Sequence, residues 1–150
     1  MAQTKWVETS FTADTNAYAD LDSLGTRLTF DDDILAKPSV VITDIVISSP
    51  DTQNPGIDIY LFDTTISASS TLTDNDALSI AAADRANIFH AEHMTNSFAD
   101  AVGISYVKSG LNIPVRPTVA HKIFGSLQAR GAITYAASST ITVRLGIVEL

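Results

Sequence analysis

In "STITVRLGIVEL", residues 139–150, Ile141, Val143, Leu145 and Ile147 alternate with Thr140, Thr142, Arg144, Gly146 and Val148. A period of two is the side-chain period of a β-strand, so one apolar face and one polar face predict a strand with one side on a core. "SVVITDIVIS" puts Val41, Thr43, Ile45 and Ile47 on one face and Val40, Ile42, Asp44 and Val46 on the other. Both faces are largely apolar, which predicts a strand covered on both sides. "IDIYLFD" places Ile57, Ile59 and Leu61 opposite Tyr60 and Phe62, again the pattern of a central strand.

Weaker strand patterns run over Lys5–Thr12, Thr26–Phe30, Ile88–Met94, Gly103–Lys108, Leu111–Val115, Ala120–Gln128 and Ile133–Ala136. Breakers fall between them, most densely in "SSPDTQNPG" with Pro50, Asn54, Pro55 and Gly56. Short strands with a turn signal about every ten residues predict an all-β sandwich or barrel rather than alternating β and α units. The one helical segment is "ALSIAAADRAN", with Ser79 as its expected N-cap and one or two turns expected. The 150 residues carry no repeat at solenoid or propeller periods, so a single domain is expected.

Composition narrows the function. The net charge of −8 argues against nucleic-acid binding, which needs clustered Lys and Arg. With 45% hydrophobic and 17% charged residues the chain is expected to fold, and its low charge fits a surface that faces other protein. No run approaches the roughly 20 apolar residues of a spanning helix, and "MAQTKWVETS" has no apolar core, so no membrane association is expected and the chain is expected to be soluble and made in the cytoplasm. Cysteine is absent, which excludes disulfides and thiolate chemistry. Charge is uneven: residues 1–100 hold 16 acidic and 4 basic side chains, residues 101–150 hold 1 and 5. This reads first as opposite ends of one fold, and second as a head-to-tail contact between copies.

Chemistry-bearing patterns are few. His90 and His93 in "FHAEHM" lack the H-E-x-x-H spacing and would point to opposite sides of a strand, so no metal is expected; His121 reads as a structural strand histidine. "FDDDIL" (Asp31 to Asp33) and "TDNDAL" (Asp74 to Asp76) lack the Gly and Glu of a calcium loop and read as turn and cap residues. No nucleophile elbow or phosphate loop is present, and with only Glu8 and Glu92 before Glu149 a glycosidase pair has little to draw on. No enzyme and no cofactor is expected.

Four pieces, "AYADLDSLGTRLTF", "VVITDIVISSPDTQNPGIDIYLFDTTI", "TLTDNDALSIAAADRANIFHAEHM" and "KIFGSLQARGAITYAASSTITVRLGIVEL", stand in an order that resembles a family of small structural proteins of tailed bacteriophages. The stretch from Phe98 to Thr118 matches it least. The resemblance implies a jelly-roll-like β-sandwich with one short helix, on the virion surface after synthesis in the host bacterial cytoplasm. It implies a head decoration, or cement, protein, with the phage major capsid protein and two further copies of itself (a homotrimer) as partners. A tail, baseplate or head-fibre component, or a receptor-binding module that recognises a host glycan, is the alternative. For subunit or capsid contact the expected residues are Asp31, Asp32, Asp33, Asp74, Asp76, Arg116, Arg130 and Arg144.

Overall fold

The computed structural model describes residues 4–32, 35, 37–53, 55–136 and 139–150. Asp33 lies outside the described residues. Those described form β1 (Lys5–Thr12), β2 (Ser23–Asp31), β3 (Val40–Ser49), β4 (Ile57–Phe62), α1 (Ala82–Arg85), β5 (Ile88–Met94), β6 (Ser97–Ala99), β7 (Ile104–Lys108), β8 (Ile113–Val115), β9 (Lys122–Ala129) and β10 (Thr140–Glu149).

All strand pairs are antiparallel. One sheet runs β1-β10-β3-β7-β6, with β8 also beside β3, and the other runs β2-β9-β4-β5. The pairs β1–β10, β2–β9, β3–β7 and β4–β5 nest one inside the next. The chain is thus one long antiparallel ribbon, doubled back between β4 and β5 and rolled so that successive pairs land alternately in the two sheets. That strand order is a jelly roll, the double-sheet sandwich expected above.

Inward side chains of both sheets fill the space between them. Ile42, Ile45, Ile47, Val143, Leu145 and Ile147 from one sheet meet Leu24, Phe30, Ile59, Leu61, Ile123 and Leu127 from the other, all 0% exposed. A second cluster lies on the outer side of the β2-β9-β4-β5 sheet. There the β4–β5 connection folds back and sets Ile66 and Ile80 against Phe62 and Phe124. The strand β9 is therefore buried on both faces, from Ile123 to Ala129.

The covering loop is tied down by Asp84, which is 3% exposed. Its carboxylate accepts hydrogen bonds from Ser70 Oγ at 2.5 Å, Ser67 Oγ at 2.8 Å and Ser67 N–H at 3.1 Å. Those donors hold its carboxyl below the ordinary Asp value of 3.8, with the Ser70 bond contributing most. Glu149 is likewise held below 4.5, chiefly by Lys5. A folded value below the unfolded one contributes stability that is complete above the ordinary carboxylate range and is lost as pH falls through the folded value. The melting temperature is expected to be level above about pH 5 and to fall steadily below about pH 4, with a shallower acid slope in Asp84→Asn. Thermal melts at stepped pH check this; an identical slope in the variant removes Asp84 as a contributor.

Four local readings are corrected. The alternation in β3 does not run through: the register jumps between Gly146 and Ile147, which pair with Asp44 and Ile42, so Thr43 is an extra residue. This bulge flips the phase, sending Val40, Ile42, Ile45 and Ile47 all into the core and leaving Val41 and Val46 on a half-exposed outer face rather than a covered one. Gly146 leaves room there for the Asp44 side chain, whose Oδ2 would stand 2.9 Å from an added Cβ and would have to shift. The helix is a single turn and Ser79 does not cap it; Ser79 instead pairs with Thr71 in an isolated bridge, and Ala81 holds the N-cap position. His121 is not in a strand but in the turn before β9, at φ 66°. Residues 133–136 pair with another segment only as a bridge from Ile133 to Tyr18, because the next backbone donors go to side chains: Thr134 N–H to Gln53 Oε1 at 2.9 Å and Ala136 N–H to Asp51 Oδ2 at 3.2 Å. The strand β6 was not foreseen.

The β5 edge carries its own protection. Glu92 Oε1 accepts from Lys108 Nζ across the sandwich at 3.0 Å, with His90 Nε2 3.4 Å from its other oxygen. Charges turned toward the gap between the sheets oppose pairing of this edge with another chain.

Candidate functional site

The space between the sheets is filled mainly by hydrocarbon. Among the described residues no group of three or more His, Asp or Glu side chains is placed to hold a metal ion, and no helix is long and apolar enough to cross a membrane. His93 Nδ1 bonds Asp58 Oδ1, and Arg130 Nε lies 3.6 Å from Asp58 Oδ2.

The proposed contact residues do not converge on one patch. Asp31 stands at the end of β2, 3.5 Å from Lys122 Nζ, and Asp32 follows it with its N–H donated to the His121 carbonyl. Arg116 is exposed near the same end of the sandwich, where with Lys37 it lines a recess of about 380 Å³. Asp74 and Asp76 belong to the β4–β5 connection but reach the opposite end. Asp74 Oδ1 accepts the Tyr18 hydroxyl at 2.8 Å and the Gly25 N–H at 2.6 Å, while the Asp76 carbonyl accepts the Ser23 N–H at 2.8 Å. Burial first, and then the bond to Asp74, raise the Tyr18 hydroxyl above its ordinary range, so it stays a donor at every physiological pH. Asp74 thus works inward, joining three segments. Asp14, Asp20, Asp22, Asp51 and Asp100 lie in the loops at its end of the sandwich, where Arg130 is the cation between β9 and β10. The charge asymmetry of the sequence becomes, in the folded chain, a carboxylate-rich end and an end where acids and bases mix.

Arg144 is the one proposed residue on a broad face. It projects from β10 on the outer side of the first sheet, its guanidinium 4.4 Å from the centre of the Trp6 ring. Trp6 is 41% exposed, and Glu8 and Val46 are the register partners of Arg144. Successive ranks of this face carry Val41, Val46 and Val148 among Ser and Thr, with Glu8, Arg144 and Asp44 as its charges. This outer face is therefore weakly charged, with one aromatic-cation pair at its side.

A feature the sequence reading passed over lies at one end of that face. Phe98, Ser105, Ser48 and Thr142 form one rank across β6, β7, β3 and β10. Beyond them the β6–β7 hairpin folds over, with Asp100 Oδ1 accepting the N–H groups of Val102 at 2.8 Å and Gly103 at 3.1 Å. Gly103 lets the hairpin close, since a Cβ would stand 2.5 Å from the Ser49 carbonyl oxygen. Together they line a groove of about 330 Å³. Phe98 is 65% and Val102 75% exposed, and the only trace in the sequence is the aperiodic apolar cluster "FADAVG".

No family model matches the chain, and no curated protein matches its sequence significantly. Several solved structures resemble it in shape. A chain from the crystal structure of tomato aspermy virus superposes with a TM-score of 0.47 at 10% identity, over 98% of this chain and 78% of that one. A chain from the capsid of Ralstonia phage GP4 does so at 0.44 and 15%, over 99% and 85%. A chain from the capsid asymmetric unit of cyanophage Pam1 does so at 0.36 and 13%, over 99% and 85%. The jelly-roll assignment rests on the strand order of this chain itself.

Proposed function

We propose that this chain is a non-enzymatic structural subunit of a tailed-bacteriophage virion, a decoration protein that sits on the outer surface of the head as a homotrimer and clamps major capsid protein subunits. The observation that carries the reading is the jelly-roll strand order around a largely apolar interior, a scaffold that presents broad outer faces for contact. The weakly charged outer face of the first sheet supports it further. A decoration subunit needs a rigid scaffold and modest contacts repeated many times, since linked copies gain avidity without new chemistry. A stable contact of standard size buries roughly 800 Å² per partner, an area that one face of a small sandwich supplies. Binding only the assembled shell stabilises that state by mass action.

Immunogold labelling of phage particles tests the location. Label spread over the head supports decoration; label confined to the tail, or none, overturns it. In a second test, Arg130→Ala with Arg144→Ala is expected to weaken binding to undecorated heads by roughly tenfold at low salt, with a smaller loss at high salt. Unchanged head binding and oligomeric state in the double variant would remove those two arginines from the interface.

A further inference from the structure

The groove beneath the β6–β7 hairpin has the makings of a ligand site. Its size lies at the lower end of small-molecule sites, which run from about 300 Å³ upward. Its walls are of two kinds. Phe98 and Val102 present exposed hydrocarbon, whereas Ser48, Ser105, Thr140 and Thr142 floor it with hydroxyls, and Asp100 adds a carboxylate. The Ser48 and Ser105 hydroxyls lie 3.2 Å apart, paired to each other and each retaining capacity for a further bond. No Lys, Arg or His lines it. An anionic ligand would meet Asp100 with no cation to offset it, and a purely apolar one would strip water from four hydroxyls without replacing their bonds.

We infer that this groove binds a neutral sugar unit of a glycan. A pyranose has one apolar C–H face and a rim of hydroxyls. The C–H face would lie on the Phe98 ring, and the rim would bond the Ser and Thr floor and the Asp100 oxygen that the hairpin does not use. The hairpin is held in shape before any ligand arrives, by the two N–H bonds to Asp100 Oδ1 and by the close seat of Gly103 on β3. Preorganisation of this kind lowers the ordering cost of binding. A single shallow site binds weakly, with dissociation constants in the millimolar range expected; many copies on one particle would raise the effective affinity by two orders of magnitude or more. The inference holds for the isolated chain and does not depend on where in a virion it sits.

Nitrogen-15 amide NMR of the full chain tests it, with maltose, lactose, methyl α-mannoside and L-rhamnose as neutral probes and N-acetylneuraminic acid as the anionic one. The expected result is saturable millimolar shifts with at least one neutral sugar, confined to the amides of Phe98, Val102, Gly103, Ser105 and Ser48. Phe98→Ala should weaken them roughly tenfold, the effect of removing a central aromatic anchor, and Phe98→Trp should retain them. Because Phe98 is exposed, neither variant should change the melting temperature, so a lost signal reports binding rather than folding. No saturable shift with any of the four neutral probes, shifts that map elsewhere or survive Phe98→Ala, or equal binding of the sialic acid would each overturn the assignment.

Discussion

Replacing Leu127 by Ala is expected to lower the unfolding free energy by about 3–5 kcal/mol. For a domain of this size that is a fall of roughly 10 °C in melting temperature. Leu127 is fully buried in β9 and pairs with Leu24 on one side and Ile59 on the other, both also 0% exposed. Neighbours fixed in sheet ladders on both sides cannot collapse into the void, so the cavity contribution adds to the lost transfer energy. Phe124, on the opposite face of the same strand, is the contrast. It anchors the β4–β5 connection through Phe62, Ile66 and Ile80, elements that can relax toward each other. Phe124→Ala is expected to cost about 3 kcal/mol, the low end for a buried Phe, and to loosen the loop before the sandwich. Denaturant melts give the two free energies, and amide exchange shows whether residues 63–87 lose protection while β3 and β10 keep theirs. A Leu127→Ala cost below about 1 kcal/mol would contradict the packing described.

The second large effect concerns an acidic residue that carries no catalytic chemistry. Asp74→Ala removes the acceptor of both the Tyr18 hydroxyl and the Gly25 N–H, leaving two sheltered donors unsatisfied. The expected cost is about 1.5–3 kcal/mol, the range for bonds to a charged acceptor. Tyr18→Phe should cost less, because the ring keeps its edge-on contact with Tyr135 and only the hydroxyl is lost. In a double-mutant cycle the two changes should fall short of additivity by about 1 kcal/mol, since they delete one shared bond. Should Asp74→Ala melt within about 0.5 kcal/mol of the parent, the residue is a solvated turn carboxylate and its inward role is lost.

Strand positions were legible wherever the two-residue period held. Lys5–Thr12 and Ile88–Met94 match β1 and β5 end to end, and β10 follows the alternation that defines it. In β3 the period was present but misled, because the bulge opposite Gly146 shifts the phase by one, and a bulge depends on what the partner strand does. The turn reading of Asp74 was legible as to class, though not as to partner: Tyr18 and Gly25 lie 56 and 49 residues away. Phe98 and Asp100 left almost no signal. Their groove exists only because a hairpin of low periodicity folds over residues of β3 and β10 from distant parts of the chain.

Residue order alone therefore determined that this protein is all-β, a sandwich or a barrel, without thiolate chemistry, because strand periodicity and composition are local properties that every window of the chain carries. Tertiary structure decided which strands pair, which face each covers, that Asp74 and Asp84 hold loops in place, and that a mixed polar and apolar groove opens at one end of the first sheet. Those features join residues far apart in the chain, and the free energy that selects them comes from close packing and paired buried polar groups, which no single window contains.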